Sequence, residues 1–366
     1  MYIGIDARPL IKNKSGIGYF LDNILKGILE EDKENIYYLI SDKDIFFEEK
    51  KYPNVKKYIY KNGKVVRKSF YFFFLLHKQL KKDNIKLDVF WGTQHFLPLN
   101  LKCKKVLTVH DISFKIFPET VDAKVRLISN LMFKPSVKRA DHIVCVSNYT
   151  KKLLLQNYNK SIKSKDVSVV YISGNESKDY NNEEDILKKY NLKSGKYILF
   201  ISTIEPRKNV DVLLDAMDKI DTELSLVVCG KEGWKCENTM ERLKKAENIL
   251  YLNYVSDNEK DCLLKNALSF VMPSVCEGFG IPVVEAMQAD IPVIVANNSS
   301  LQELVEYEAL RFETFNSTAL AELICKMYND EIFYEKAKEY CVKRKLSFSW
   351  KNTSKKYAEI LKGVEK

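Results

Sequence analysis

Residues 277–285, Glu277-Gly278-Phe279-Gly280-Ile281-Pro282-Val283-Val284-Glu285, follow an apolar strand-like run at 268–272 and Pro273. The order of strand, two-glycine loop and helix start points to an α/β fold. Pro282 suits the first helical turn, where its missing N–H has no partner in any case, and Val283, Val284, Ala286, Met287 and Ala289 continue as a mostly apolar helix. A glycine loop that ends at a helix N-terminus gathers exposed backbone N–H groups and the positive end of the helix dipole, which fits an anion such as a pyrophosphate. Glu277 and Glu285 sit eight apart, one in the loop and one about a turn inside the helix, so they share no helical face. That spacing speaks against a carboxylate metal site and for two separate jobs around one ligand. Beside a phosphate the carboxylates would repel it, so they are expected to accept hydrogen bonds from the hydroxyls of a sugar or ribose. By spacing alone, an ordinary strand–loop–helix unit with both carboxylates solvated fits equally well.

Working outward, the same alternation recurs. The strand Tyr197-Ile198-Leu199-Phe200-Ile201 leads through Ser202-Thr203-Ile204-Glu205-Pro206-Arg207-Lys208-Asn209 into a helix at 210–220. Adjacent cations at a helix N-terminus oppose its dipole unless an anion joins them, which makes Arg207 and Lys208 candidate pyrophosphate ligands; a solvated surface pair is the alternative. The strand at 224–229 ends in Gly230-Lys231-Glu232-Gly233-Trp234, and residues 255–259 cap a helix reaching Asn266. The strand at 292–295 leads through Asn297-Asn298-Ser299-Ser300 into a helix. In the first half, a strand at 2–6 and a loop with Arg8 precede Ser15-Gly16-Ile17-Gly18, which opens a helix to about residue 29. Leu21 stands where a dinucleotide fingerprint needs its third glycine, so the NAD motif is incomplete. His110-Asp111 ends the strand at 105–109, and polar residues at the carboxyl end of a parallel strand are where open α/β sheets bind ligands. A satisfied structural histidine is the alternative for His110. After a helix at 121–138 and a strand at 142–146, Ser147 is placed to cap the helix that follows. The run from Val65 to Leu76, with seven consecutive apolar residues at 70–76 flanked by cations, reads as a buried helix or as a membrane-surface element; being apolar all round favours the first. The polar stretch 175–182 reads as a linker.

The chain of 366 residues, 46% hydrophobic, is long enough for two cores. No apolar run approaches the ~18 residues of a spanning helix and the N-terminus does not resemble a signal peptide, so a cytoplasmic location is expected. The eight cysteines are scattered without a C-x-x-C pair and are expected to be reduced thiols, with no zinc or disulfide framework. Residues 1–177 hold 32 Lys and Arg against 18 Asp and Glu, whereas 178–366 hold 27 against 31. The basic first half suits an anionic partner such as a membrane surface, lipid pyrophosphate or nucleic acid, or it reflects a compositional bias toward lysine. No nucleic-acid-binding module is recognisable, so no nucleic-acid partner is expected.

The E-x7-E stretch, the run TVHDISFKIFPE, the segment ADHIVCVSNYT, the EPRKN loop and the Gly230–Trp234 loop together resemble the family 4 retaining glycosyltransferases of the GT-B fold, across nearly the whole chain. The resemblance is nearest to bacterial mannosyltransferases of surface-polysaccharide assembly. It implies two doubly wound Rossmann-like domains facing across a cleft: 1–177 on the acceptor side, 178–345 binding the nucleotide sugar, and 346–366 returning to the first. By it, His110 and Glu277 would contact the donor hexose, Arg207 and Lys208 the diphosphate, and Glu285 the ribose. Gly16, Gly18, Gly230, Lys231, Gly278, Phe279 and Gly280 would complete the donor site. The implied reaction is hexosyl transfer, first of mannose from GDP-mannose, to a saccharide or lipid-linked acceptor, with peripheral contact to an anionic membrane and no cofactor or metal. Rhamnosyl, glucosyl or galactosyl transfer, a nucleotide-sugar epimerase of the same fold, a basic nucleic-acid-binding protein and an inactive partner subunit remain the rival readings.

Overall fold

A computed structural model describes residues 1–12, 14–60, 70–162, 166–178, 180 and 182–364. The chain divides into two compact units, Met1–Ile172 with the chain from Trp350 onward, and Ser173–Ser349. Both are doubly wound parallel sheets flanked by helices.

The first unit holds β1 (Tyr2–Asp6), β2 (Ile36–Ser41), β3 (Val55–Ile59), β4 (Val89–Gly92), β5 (Lys104–Val109), β6 (His142–Cys145) and β7 (Asp166–Val169), in the order β3-β2-β1-β4-β5-β6-β7. Every neighbouring pair is parallel. Helices cover both faces of such a sheet, so its central strands can be apolar on both sides, and Val89, Phe90 and Trp91 are all fully buried. The second unit holds β8 (Tyr197–Ile201), β9 (Ser225–Cys229), β10 (Ile249–Leu252), β11 (Ser269–Met272), β12 (Val293–Ala296) and β13 (Arg311–Phe312), in the order β10-β9-β8-β11-β12-β13, again all parallel.

Each sheet therefore winds outward from its first strand and later restarts on that strand's other side. The reversal falls between β1 and β4 in the first unit and between β8 and β11 in the second. Loops leaving neighbouring strands at such a switch point run apart and open a crevice at the carboxyl edge.

The divisions fall at 172/173 and 349/350 instead of 177/178 and 345/346, for reasons of packing. A Cβ at Gly174 would meet the Glu285 backbone, with its nitrogen at 2.5 Å, and the Lys178 N–H donates to Asp261 at 3.1 Å, so 173–178 already belong to the second unit. At the other boundary Phe348 packs edge-on against Phe279, ring centroids 5.9 Å apart, and keeps 346–349 with that unit. The last helix, Trp350–Gly363, packs on the helix Gly16–Glu31 of the first unit. There Tyr357 is fully buried with its hydroxyl 3.2 Å from Thr108, and Lys362 pairs with the buried Asp32 at 2.9 Å.

The apolar run takes the buried form. Tyr71–Leu75 makes a π-helical turn ahead of the helix Leu76–Lys82, and Phe72, Phe73 and Leu76 enter the core while Phe70 stays exposed. Residues 65–69 of that run, and 179 and 181 of the linker stretch, lie outside the described residues. Ser147 caps its helix as expected, accepting from the Thr150 N–H at 3.1 Å. All eight cysteines are free thiols, six of them buried. Among the described residues no helix is long and apolar enough to cross a membrane.

Candidate active site

The second switch point brings together residues some seventy positions apart. The loop after β8 tightens into a 3-10 turn, Pro206–Lys208, and Asn209 follows in the left-handed region before the helix Val210–Met217. The loop after β11 carries Glu277 to Gly280, and Gly280, with φ of 110°, caps the helix Ile281–Gln288. A left-handed residue is required there, and a Cβ would also crowd Leu304 and Leu301 at 3.1 and 3.2 Å. Ser300 pins this loop by donating to the carbonyls of Glu277 at 2.9 Å and Phe279 at 2.7 Å, while the Glu277 N–H donates to Ser299 Oγ at 3.0 Å.

At the centre lies Glu277, 6% exposed. Lys208 Nζ donates to Oε1 at 2.6 Å and Arg207 Nη1 to Oε2 at 3.1 Å; Arg207 also reaches the Cys276 carbonyl at 2.9 Å and Glu205 at 3.0 Å. The Glu277 carboxylate thus joins Arg207 and Lys208 from within the chain, and Glu205 joins Arg207 as well. Burial alone would raise the Glu277 carboxyl, yet Lys208 and Arg207 outweigh it and hold it down to about 2. Burial, with Arg207 beside it, pushes the Lys208 ammonium below the ordinary lysine range in spite of Glu277. These two directions have one origin. The carboxylate gains from two cations, whereas the buried Lys208 ammonium pairs, among the described residues, with Glu277 alone and has the Arg207 charge beside it.

Glu285, 9% exposed and inside the helix, accepts from Lys260 Nζ at 2.9 Å. Lys260 belongs to the helix Asp257–Asn266, which Ser256 and Glu259 start with a capping box. Gly230 lies at the carboxyl end of β9, where a Cβ would overlap the Ser202 carbonyl oxygen. Lys231 is exposed, its ammonium 5.8 Å from the Tyr254 ring centre. Phe279 is 4% exposed, and its ring packs edge-on against Phe348.

The first switch point holds a second polar cluster. Asp6, fully buried at the end of β1, takes Arg8 Nε at 2.7 Å and Nη2 at 2.6 Å. Gln94 donates to the same carboxylate at 3.3 Å, and the Thr93 hydroxyl to the Asp6 carbonyl at 2.7 Å. His110 Nε2 lies 2.8 Å from the Thr93 carbonyl oxygen. A carbonyl only accepts, so Nε2 carries the proton and Nδ1 is the ring's acceptor. Burial and the neighbouring His95 push the His110 imidazole down to about 3, which keeps it neutral at working pH. Gly16 is exposed at the start of its helix, and at Gly18 a Cβ would press on the Pro9 carbonyl oxygen at 2.7 Å. His110, Gly16 and Gly18 are thus in the first unit, and the remaining candidates in the second. The Asp6–Arg8–Gln94 network, the Ser299–Ser300 clamp and Lys260 escaped the sequence reading. The signal available for the first was an Asp-x-Arg at the carboxyl end of an opening strand. Among the described residues no group of three or more His, Cys, Asp or Glu could hold a metal ion.

Two doubly wound parallel domains, each with a polar cluster at its switch point, fit the GT-B fold that the sequence resemblance implies. The family model "Glycosyltransferase Family 4" matches residues 15–172 and "Glycosyl transferases group 1" matches 181–344. The chain is 30% identical over 277 residues to the O-antigen chain mannosyltransferase B of Escherichia coli, covering 72% of this chain and 71% of that one. It is 31% identical over 221 residues to the O-antigen chain mannosyltransferase RfbU of Salmonella typhimurium, covering 60% and 58%. Among solved structures, Anabaena HepE in complex with UDP and glucose superposes with a TM-score of 0.76 at 15% identity, covering 99% of both chains. WaaG, a glycosyltransferase involved in lipopolysaccharide biosynthesis, does so at 0.73 and 14%, covering 99% of this chain and 100% of that one. The chain belongs to glycosyltransferase family 4 and has the GT-B fold.

Proposed function

We propose that this glycosyltransferase moves a hexose, mannose from GDP-mannose in the first instance, with retention of configuration onto a saccharide or lipid-linked saccharide of a bacterial surface polysaccharide. The observation that carries the reading is the Glu277 carboxylate shared by Lys208 and Arg207 beside a glycine-capped helix N-terminus. In this reading the departing diphosphate develops negative charge where two fixed cations and the amides near Gly278 and Gly280 are already in place, so little reorganisation is needed. Glu277, ionised throughout the working pH range, accepts from a hexose hydroxyl with its remaining lone pairs, and Glu285 from the ribose. His110 offers Nδ1 to a sugar hydroxyl. Protein cations take the part of a divalent ion, so no metal or cofactor enters. The names of the two mannosyltransferase relatives support mannose, while HepE, solved in complex with UDP-glucose, makes UDP-glucose the second donor to try.

The first unit takes the acceptor in this proposal, in the cytoplasm and in peripheral contact with an anionic membrane. Its helix Ala123–Arg139 supports that contact, because Val125, Leu127 and Leu131 are more than half exposed beside Lys124, Lys134 and Lys138. A thermal-shift screen of nucleotide sugars tests the donor, since a ligand of the folded state raises the melting temperature. NMR of the new glycosidic linkage reads the stereochemistry. Turnover that persists in EDTA is expected; strict dependence on added magnesium or manganese, or inversion at the anomeric carbon, sinks the corresponding part.

A further inference from the structure

Arg8 is not absorbed by the donor reading, yet it occupies the first unit's switch point. Asp6 takes the side edge of its guanidinium through Nε and Nη2, at 2.7 and 2.6 Å. Phe72 takes a face, with the guanidinium carbon 3.5 Å from the ring centre. Gln94 and Thr93 hold Asp6 from β4's side of the crevice. Three elements thus fix one side chain, which is more than a surface ion pair needs. What they leave over is the end-on edge: Nη1 has no hydrogen-bond partner among the described residues, and the Arg8 side chain keeps 19% exposure. The wall beside it is also unsatisfied, since the buried Tyr60 hydroxyl, close enough for Arg8 to act on it electrostatically, lacks a partner among the described residues.

An end-on guanidinium edge presents two parallel N–H donors, which match two oxygens on one phosphorus or carbon. The position is the one at which a doubly wound sheet binds ligands. The first half of the chain agrees in overall sign, with 32 Lys and Arg against 18 Asp and Glu over residues 1–177, while next to Arg8 itself the carboxylates are Asp6 and Asp42. We propose that the free edge of Arg8 recognises a pair of anionic oxygens, of a phosphate ester or a carboxylate, carried by the acceptor. The assignment to the acceptor rests on the glycosyltransferase reading above, with the donor in the second unit. Asp6 then has a positioning role: it turns the guanidinium and supplies the counter-charge that keeps it buried, and it touches no substrate.

The test uses the full chain carrying Lys208→Ala, so that oxyanion binding at the second switch point does not mask the first. At fixed ionic strength, methyl phosphate is titrated by ³¹P NMR, [¹³C]acetate by ¹³C NMR, and neutral methyl glucoside serves as control. One of the two oxyanions is expected to bind, and which one does identifies the acceptor group. Arg8→Lys keeps a charge for Asp6 but has no fork, and should weaken that binding about tenfold or more while the glycoside is unaffected. Should Arg8→Lys lose its cooperative melt, the double variant Asp6→Asn/Arg8→Gln replaces it, removing the buried carboxylate charge together with its partner. Equal oxyanion binding with and without Arg8, or none by the protein that retains Arg8, overturns the proposal. The donor reading stands or falls separately, on whether a nucleotide sugar raises the melting temperature of the wild-type chain.

Discussion

At the first switch point one carboxylate, Asp6, takes one guanidinium; at the second, Glu277 is shared by an ammonium and a guanidinium. The sheets around them have the same connectivity, six strands of each following the pattern 3-2-1-4-5-6, so backbone topology cannot account for the difference. It comes from the loops. The loop after β8 delivers Arg207 and Lys208 side by side to Glu277, whereas from the loop after β1 Arg8 alone, among the described residues, pairs with Asp6. The comparison teaches that one architecture supplies two switch points and that the loops decide what gathers there: one ion pair at the first, and two cations with the carboxylates of Glu277 and Glu205 at the second. In the proposed reading, Arg207 and Lys208 meet the diphosphate leaving group and the free edge of Arg8 recognises a group that does not react.

The comparison breaks most visibly at Lys208. Lys208→Ala leaves the buried Glu277 with Arg207 alone and removes a charge from the proposed leaving-group site, so turnover should fall about 10²–10³-fold, read as kcat at saturating donor. If Lys208→Ala and Arg8→Lys lower kcat alike, the two crevices do not divide the work as described. Next in size is the acid response of Glu277. Its folded value of about 2 lies below that of an unfolded glutamate, so the stabilisation is complete above the unfolded value and is lost as the pH falls toward 2; for this buried group it amounts to no more than about 3 kcal/mol. Chemical denaturation at pH 7 and pH 3 should show Glu277→Gln losing less stability than wild type between the two. A third, smaller effect is expected of Glu285→Ala, which leaves Lys260 without its partner and removes the proposed ribose acceptor: donor KM should rise about tenfold with the fold intact. An unchanged KM would detach Glu285 from the donor. The smallest effect concerns the surface of the first unit. Binding to anionic vesicles should decline from low to physiological salt and weaken further in Leu127→Ser/Leu131→Ser, whereas a salt-independent signal would leave the basic surplus as composition.

Much of the fold was legible because strand, loop and helix each leave a local mark. Gly280 had to be a glycine for its left-handed φ, Pro282 fell in the first turn, and the helix expected to be capped by residues 255–259 starts there, with Ser256 and Glu259 as its capping box. The Phe70–Leu76 run shows where local marks stop. Being apolar all round favoured the core over a membrane surface, but only packing put Phe72, Phe73 and Leu76 inside and Phe70 outside. Phe279 taught the opposite lesson, since a ring within the motif turned out to face Phe348.

By itself the sequence determined which residues stand at the carboxyl ends of strands, where the helices begin, and that the positive charge is concentrated in the first half, because these follow from short-range pattern and counting. Only the tertiary structure decided that Glu277 meets Lys208 and Arg207, about seventy residues away, and that Asp6 meets Gln94 across eighty-eight. The physical reason is the switch point. In each unit it places the first strand beside one that starts three strands later in the chain, so partners come together by sheet order, and nothing in their separation along the sequence marks them as neighbours.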